Sequence, residues 1–240
     1  MPIKRLNFVE VTTQLPFKTD IMITNEELQK NVQDAIKWQP LLKAAEIGVI
    51  AKEGVVSLTG NVNSFTKKME AEKAAKSVAG VRAVVEDIHV KFANDLEKTD
   101  EELASEILRS MKWDWSVPEE KIQVKVEDGW VSLDGAVEWN FQRESAKNCT
   151  ANLIGVKGVT NNISVKSGST DQVEKEAIEK ALSRSWMVDD QNIQVKVKGN
   201  KVVLRGAVES LFEKEEATRL AWNAPGVNEV DNELAVIYDF

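Results

Sequence analysis

The sequence predicts an α+β fold: three tandem small modules of helix–strand–strand–helix–strand order, each a three-stranded mixed sheet with two helices on one face. Three observations carry that expectation. GVVSLTGNV at residues 54–62 returns as GWVSLDGAV at 129–137 and as KVVLRGAV at 201–208. A shift of 75 residues lays Thr24, Leu28, Val32, Ile36 and Trp38 on Thr99, Leu103, Ile107, Met111 and Trp113. A further shift of 71 lays Val131, Leu133, Gly135 and Val137 on Val202, Leu204, Gly206 and Val208. The period is longer than the roughly 20–50 residues of a solenoid unit, so each unit reads as a small domain. The units run 24–92, 99–167 and 170–238, with 1–23 as an N-terminal leader or extension.

The elements follow in chain order. TNEEL and TDEEL place a threonine with a glutamate three residues on, the capping box that opens a helix. Apolar residues then recur at every fourth position, Leu28, Val32, Ile36 and Leu103, Ile107, Met111, which makes one buried helical stripe. Alternation follows, as in Ile122, Val124, Val126 and then Val131, Leu133, with EDG between them as a tight turn. A second helix presents Ala71, Ala74, Ala75 and Val78 on one face and is expected to stop at Gly80, Gly155 or Gly226 through a left-handed cap. Ile163 and Val165 mark the closing strand. In this frame Gly60 serves a turn or a close backbone approach, and the repeated phrase is a core signature.

Composition narrows the function. A net charge of −8 argues against nonspecific binding to nucleic acid or to strongly anionic lipid. No apolar run reaches the roughly 18 residues of a membrane-spanning helix. The opening MPIKRLNFVEVTTQLPF lacks the unbroken apolar stretch of a secretory signal. A cytoplasmic location is therefore expected, or a periplasmic one if an export signal has been removed. Cys149 and His89 are the only cysteine and histidine, so neither a disulfide within the chain nor a cysteine-based zinc site is available. His89 is expected on the open face of a strand and Cys149 as a small core residue of the second helix. The acidic pairs Glu119–Glu120, Asp189–Asp190 and Glu215–Glu216 do not have the spacing of a calcium loop, and AKEGVVSLTG lacks the end of a P-loop. No catalytic residue, metal ligand or cofactor is expected.

The pattern V-x-L-x-G-x-V … A … G-V … I-x-V, repeated in register, resembles the BON domain, a family named for bacterial OsmY and nodulation proteins. The resemblance covers residues 24–238. It implies a compact α/β module, usually in tandem and without catalytic residues, that binds phospholipid surfaces or serves envelope and stress functions. Some cytoplasmic members of the family bind potassium ions. The resemblance transfers no site residue, because the family's lipid contacts have no sharp motif.

Two features remain as candidates for binding. Trp38, Trp113, Trp115 and Trp186 gather where the first helix of a unit ends, and Trp139 follows a second strand near Phe141. Indoles at loop edges suit a water–membrane interface; the plainer reading is packing between thin-cored modules. Charge is also uneven: unit one carries ten basic and nine acidic residues, unit two eight and twelve, unit three nine and thirteen. In unit three, QVKVKGNKVVLRG turns Lys196, Lys198, Lys201 and Arg205 to the open sheet face if Val195, Val197, Val202 and Leu204 point inward. The sequence therefore points to a non-enzymatic binding protein with a phospholipid surface as partner. Trp113, Trp115, Trp139 and Trp186 are the candidate interfacial inserts, and Lys196, Lys198, Lys201 and Arg205 the candidate head-group contacts. The alternatives are a protein–protein scaffold that uses the same tryptophans, and a cytoplasmic potassium-binding or sensing module.

Overall fold

The structure, a computed structural model, describes residues 23–92, 98–166, 173–185, 188 and 192–237. The first module comprises α1 (Asn25–Lys37), β1 (Ile47–Lys52), β2 (Val55–Val62), α2 (Phe65–Lys76) and β3 (Ala83–Val90). The second repeats it with α3 (Asp100–Trp113), β4 (Ile122–Glu127), β5 (Trp130–Val137), α4 (Asn140–Ala151) and β6 (Gly158–Val165). The third has α5 (Lys175–Ser183), β7 (Ile193–Lys198), β8 (Lys201–Val208), α6 (Leu211–Trp222) and β9 (Glu229–Val236). In every sheet the middle strand pairs antiparallel with the strand before it and parallel with the strand after it, the mixed sheet that the sequence predicts.

The capping boxes form. Thr24 accepts from the Glu27 N–H while Glu27 accepts from the Thr24 N–H, and Thr99 and Glu102 do the same. The next residue holds the hairpin: Asn25 accepts from the Glu53 N–H, and Asp100 from the N–H groups of Asp128 and Gly129. Glu53–Gly54 and Asp128–Gly129 both have positive φ, as a type I′ turn demands. The stripes Leu28, Val32, Ile36 and Leu103, Ile107, Met111 are buried against Val56, Leu58 and Val131, Leu133 of the middle strands. Gly60 has φ +145, and a Cβ there would overlap the carbonyl oxygen of Glu46, so close backbone approach is what the repeated phrase requires.

The second-helix glycines act differently from the expectation. The C-caps are Ser77, Asn152 and Asn223, all right-handed. Gly80 lies three residues beyond, with φ +88, in the turn closed by the Val81 N–H on the Val78 carbonyl, and it aims the chain into β3. A second departure lies in the last strand, where an inward position is polar in every module. Glu86 pairs with Lys68 at 3.0 Å, while the Asn161 and Asn232 amides donate to the carbonyls of Arg143 and Lys214. These contacts tie the parallel edge strand to the second helix.

The modules meet head to tail. Phe65, at the start of α2, is buried in the core of the second module, and Thr66 Oγ1 donates to the Ala151 carbonyl at the end of α4. Near the start of α4, the Arg143 guanidinium lies 4.6 Å from the ring centre of Trp222 at the end of α6. The Trp222 ring packs against the cores of both the second and third modules. At the start of α6, Leu211 packs against the core of the first module, and Glu215 meets Lys76 at the end of α2 at 2.5 Å. The same heterologous contact is thus made three times and closes on itself, giving a three-membered ring within one chain.

Candidate functional site

The exposed tryptophans sit on loops that are pinned from beneath. Trp38 caps the C-terminal end of α1, Trp113 ends α3, and Trp115 follows. Trp38 and Trp113 are each 84% exposed and Trp115 92%. Four residues after Trp38 and Trp113 come Leu42 and Val117, both buried, so the loops are anchored in their own cores. Asp114 tightens the second loop, accepting from the Ser116 N–H at 2.9 Å and the Ser116 hydroxyl at 2.6 Å. Leu41 is exposed beside Trp38. Large apolar rings held out on such loops bury little of their surface within the chain.

Trp139 belongs to the same end of the second module. Lys121, just before β4, bonds Glu138, the residue before Trp139, at 3.2 Å. Gln142 accepts from the N–H groups of Glu138 and Trp139 and completes the helix start where the other modules use Ser64 and Ser210. Trp139 is only 38% exposed, so it borders the surface. Trp186 lies outside the described residues. Trp222 takes the packing role, bridging two modules, and Trp130 covers Gly158 with its ring.

The cationic face of the third module is present but largely matched. Register places Lys201 beside Glu229 and Arg205 beside Glu233 across the parallel pair. Lys201 Nζ bonds Glu229 at 2.7 Å and Asp231 at 3.3 Å, and these partners raise the lysine above its ordinary pKa. Arg205 makes a two-pronged pair with Glu233, at 2.5 Å and 3.1 Å, which pulls the Glu233 carboxyl below its ordinary value. Lys196 and Lys198 are exposed and make no ion pair among the described residues. The cover formed by these long side chains leaves Val203, on the same face, buried. The alternating acids Glu229, Asp231 and Glu233 were visible in the sequence. What hid the pairing was that it joins strands distant in the chain.

One apolar patch was missed. On the open face of the first sheet, Ile50, Val55 and Val85 are exposed, and the first two line a shallow hollow of about 820 Å³ with Lys52, Glu53, Ser57, Arg82 and Ala83. The corresponding residues of the second sheet are Lys125, Trp130 and Thr160. His89 stands on this face as expected, exposed and 3.4 Å from Asp87. Cys149 is half-buried, its thiol donating to the Ala146 carbonyl, and burial raises its pKa. Among the described residues no cluster of three His, Cys, Asp or Glu side chains could hold a metal ion, and no helix is long and apolar enough to cross a membrane.

The comparisons agree with this architecture. The BON domain family model matches residues 24–91, 99–167 and 170–238. Osmotically-inducible protein Y of Escherichia coli (strain K12) is 33% identical over 153 residues, spanning 62% of this chain and 76% of that protein. The outer membrane lipoprotein DolP of Haemophilus influenzae is 29% identical over 147 residues, 60% of this chain and 76% of that one. A solved structure of CdsD, a structural protein of the type III secretion system of Chlamydia trachomatis, aligns over 88% of this chain and 92% of its own at 14% identity, with a TM-score of 0.24 too low to bear on this fold. With the same helix–strand–strand–helix–strand module built three times and matched each time by one family, the chain belongs to the BON-domain proteins, as a tandem member similar to OsmY.

Proposed function

We propose that this protein is a non-enzymatic binding protein of the bacterial envelope and stress response that attaches to phospholipid surfaces. The observation that carries the reading is the pair of pinned loops holding Trp38, Leu41, Trp113 and Trp115 out of the fold. An indole offers an apolar ring with a polar N–H, which suits the head-group region. The loops of the first and second modules follow the same helix of the repeat and carry the same exposed ring, Trp38 and Trp113. Several weak contacts on one chain then act as one stronger attachment.

The inserts of this reading are Trp113 and Trp115, bordered by Trp139, with Trp38 added and Trp186 kept as the third module's counterpart. A lysine precedes each ring, Lys37 before Trp38 and Lys112 before Trp113, but Asp114, Glu119 and Glu120 follow Trp113 while Lys43 follows Trp38, so the first module's loop is the better match for anionic lipid. Of the proposed head-group cations, Lys196 and Lys198 are the open ones, and Lys201 and Arg205 would first have to release their acids. Similarity to a protein named as osmotically inducible and to one named as an outer membrane lipoprotein supports a stress or envelope role and favours the envelope over the cytoplasm. The second reading, a protein scaffold, is favoured by one observation, the apolar patch of Ile50, Val55 and Val85 on the first sheet.

Tryptophan fluorescence with anionic and zwitterionic vesicles, alongside co-sedimentation in a salt series, tests the reading. A blue shift and salt-sensitive pelleting on anionic vesicles that weaken in Trp38→Ala and Trp113→Ala/Trp115→Ala support it. Absence of both signals overturns it and turns attention to the Ile50 patch.

A further inference from the structure

The three seams of the ring are equivalent in position and unequal in chemistry. Between the first and second modules, Phe65 is buried in the neighbouring core, Met69 packs beside it, and the Thr66 hydroxyl bonds the end of α4. Between the second and third, Trp222 is shared by two cores beneath the Arg143 guanidinium. The chain itself also joins these two pairs of modules. Between the third and first modules no backbone connection exists. That seam has Leu211, half-buried as Trp222 is but a smaller side chain packed on one neighbouring core, together with Lys76–Glu215 at 2.5 Å and Lys73 6.0 Å from the Phe212 ring.

We propose that the third seam is an ionic latch, and that rising ionic strength opens the ring there while the other two seams hold. Both of its polar contacts are electrostatic, and Glu215 is 57% exposed, so mobile ions reach the pair. The screening length falls from about 10 Å at 0.1 M salt to about 3 Å at 1 M. Opening strands no charge: Lys76 keeps Glu72, 2.7 Å away on its own helix, and Glu215 returns to water. Phe65 and Trp222 answer to burial of apolar area, which moderate salt does not weaken. An open ring leaves the third module hinged on the second. The latch is independent of what those loops bind.

Lys30, Ser105 and Glu176 are equivalent exposed helix positions in the three modules and suit distance probes. In a Cys149→Ser background, fluorophores on Lys30→Cys and Glu176→Cys report the latch, and fluorophores on Lys30→Cys and Ser105→Cys report a linked seam. Between 20 mM and 500 mM NaCl the ratio of open to closed rings rises by up to about fivefold, as for a partly exposed ion pair, and the population-weighted energy transfer across the latch falls with it. The linked-seam pair stays constant. Glu215→Lys faces Lys76 and Lys73 with a like charge, so it opens the ring in low salt and closes it as salt rises, reversing the sign of the response. A latch pair that does not respond, two pairs that respond together, or a Glu215→Lys response of unchanged sign overturns the proposal.

Discussion

Phe65 and Asn140 hold the same place in consecutive modules, the first residue of the second helix, and both are buried, at 9% and 5% exposure. The apolar ring of Phe65 sits in the core of the next module, whereas Asn140 Oδ1 is buried without a hydrogen-bond partner. An unmet buried acceptor costs about 1–3 kcal/mol. Asn140→Leu, the residue type found at position 211, is therefore expected to raise the melting temperature by about 2–4 °C for a chain of this size. Differential scanning calorimetry measures it, and a lower melting temperature would show that the amide is satisfied in solution.

Trp222 and Trp113 each close a helix, α6 and α3, yet their deletions are expected to differ. Trp222→Ala removes a ring shared by two cores and the surface on which Arg143 lies, for a loss of about 2–4 kcal/mol. Trp113→Ala removes an exposed ring and stays within about 0.5 kcal/mol of the parent. Urea unfolding compares them; equal losses would mean that the Trp113 loop is packed.

Glycine is required at position 60 for contact as well as for conformation. Gly60→Ala forces a methyl group onto the Glu46 carbonyl at a φ of +145, a cost of about 3 kcal/mol or more. Gly199 also has positive φ, +60, but a Cβ there meets open space, so Gly199→Ala costs about 1 kcal/mol. The difference between the two urea midpoints is the test.

Glu102 gives an acid-sensitive contribution. The Thr99 backbone N–H at 3.0 Å and hydroxyl at 3.1 Å bond its carboxylate and hold its pKa below the ordinary value. A depressed folded-state pKa stabilises the helix start above the unfolded carboxyl's pKa, and that stabilisation is lost as pH falls through the folded value. Glu102→Gln is expected to be less stable than the parent at pH 6, with the gap closing in acid. A gap that does not change with pH would assign the effect to side-chain shape alone.

Most of the module was legible in one sequence because the chain repeats it. Thr24 and Thr99 announced their helices, and Leu28–Val32–Ile36 and Val56–Leu58 chose the buried faces, since such patterns depend on neighbours a few residues apart. The misreadings share another cause. Gly80 was taken as a cap because it follows the apolar run, but Ser77 already ends the helix three residues earlier. Lys201 and Arg205 were read as an open cationic surface because their acids, Glu229 and Glu233, are 28 residues away and become neighbours only through parallel pairing. Lys76 and Glu215, 139 residues apart, carry no local signal of their pairing.

Head-to-tail closure also bears on how a change at one seam is felt at the others. With Phe65 seated in the second module's core, Trp222 shared by the second and third, and Leu211 packed on the first, each module is held from two sides. Removing the middle module would leave Phe65 without its pocket and Trp222 with one core instead of two, so the three folding units are expected to behave as one.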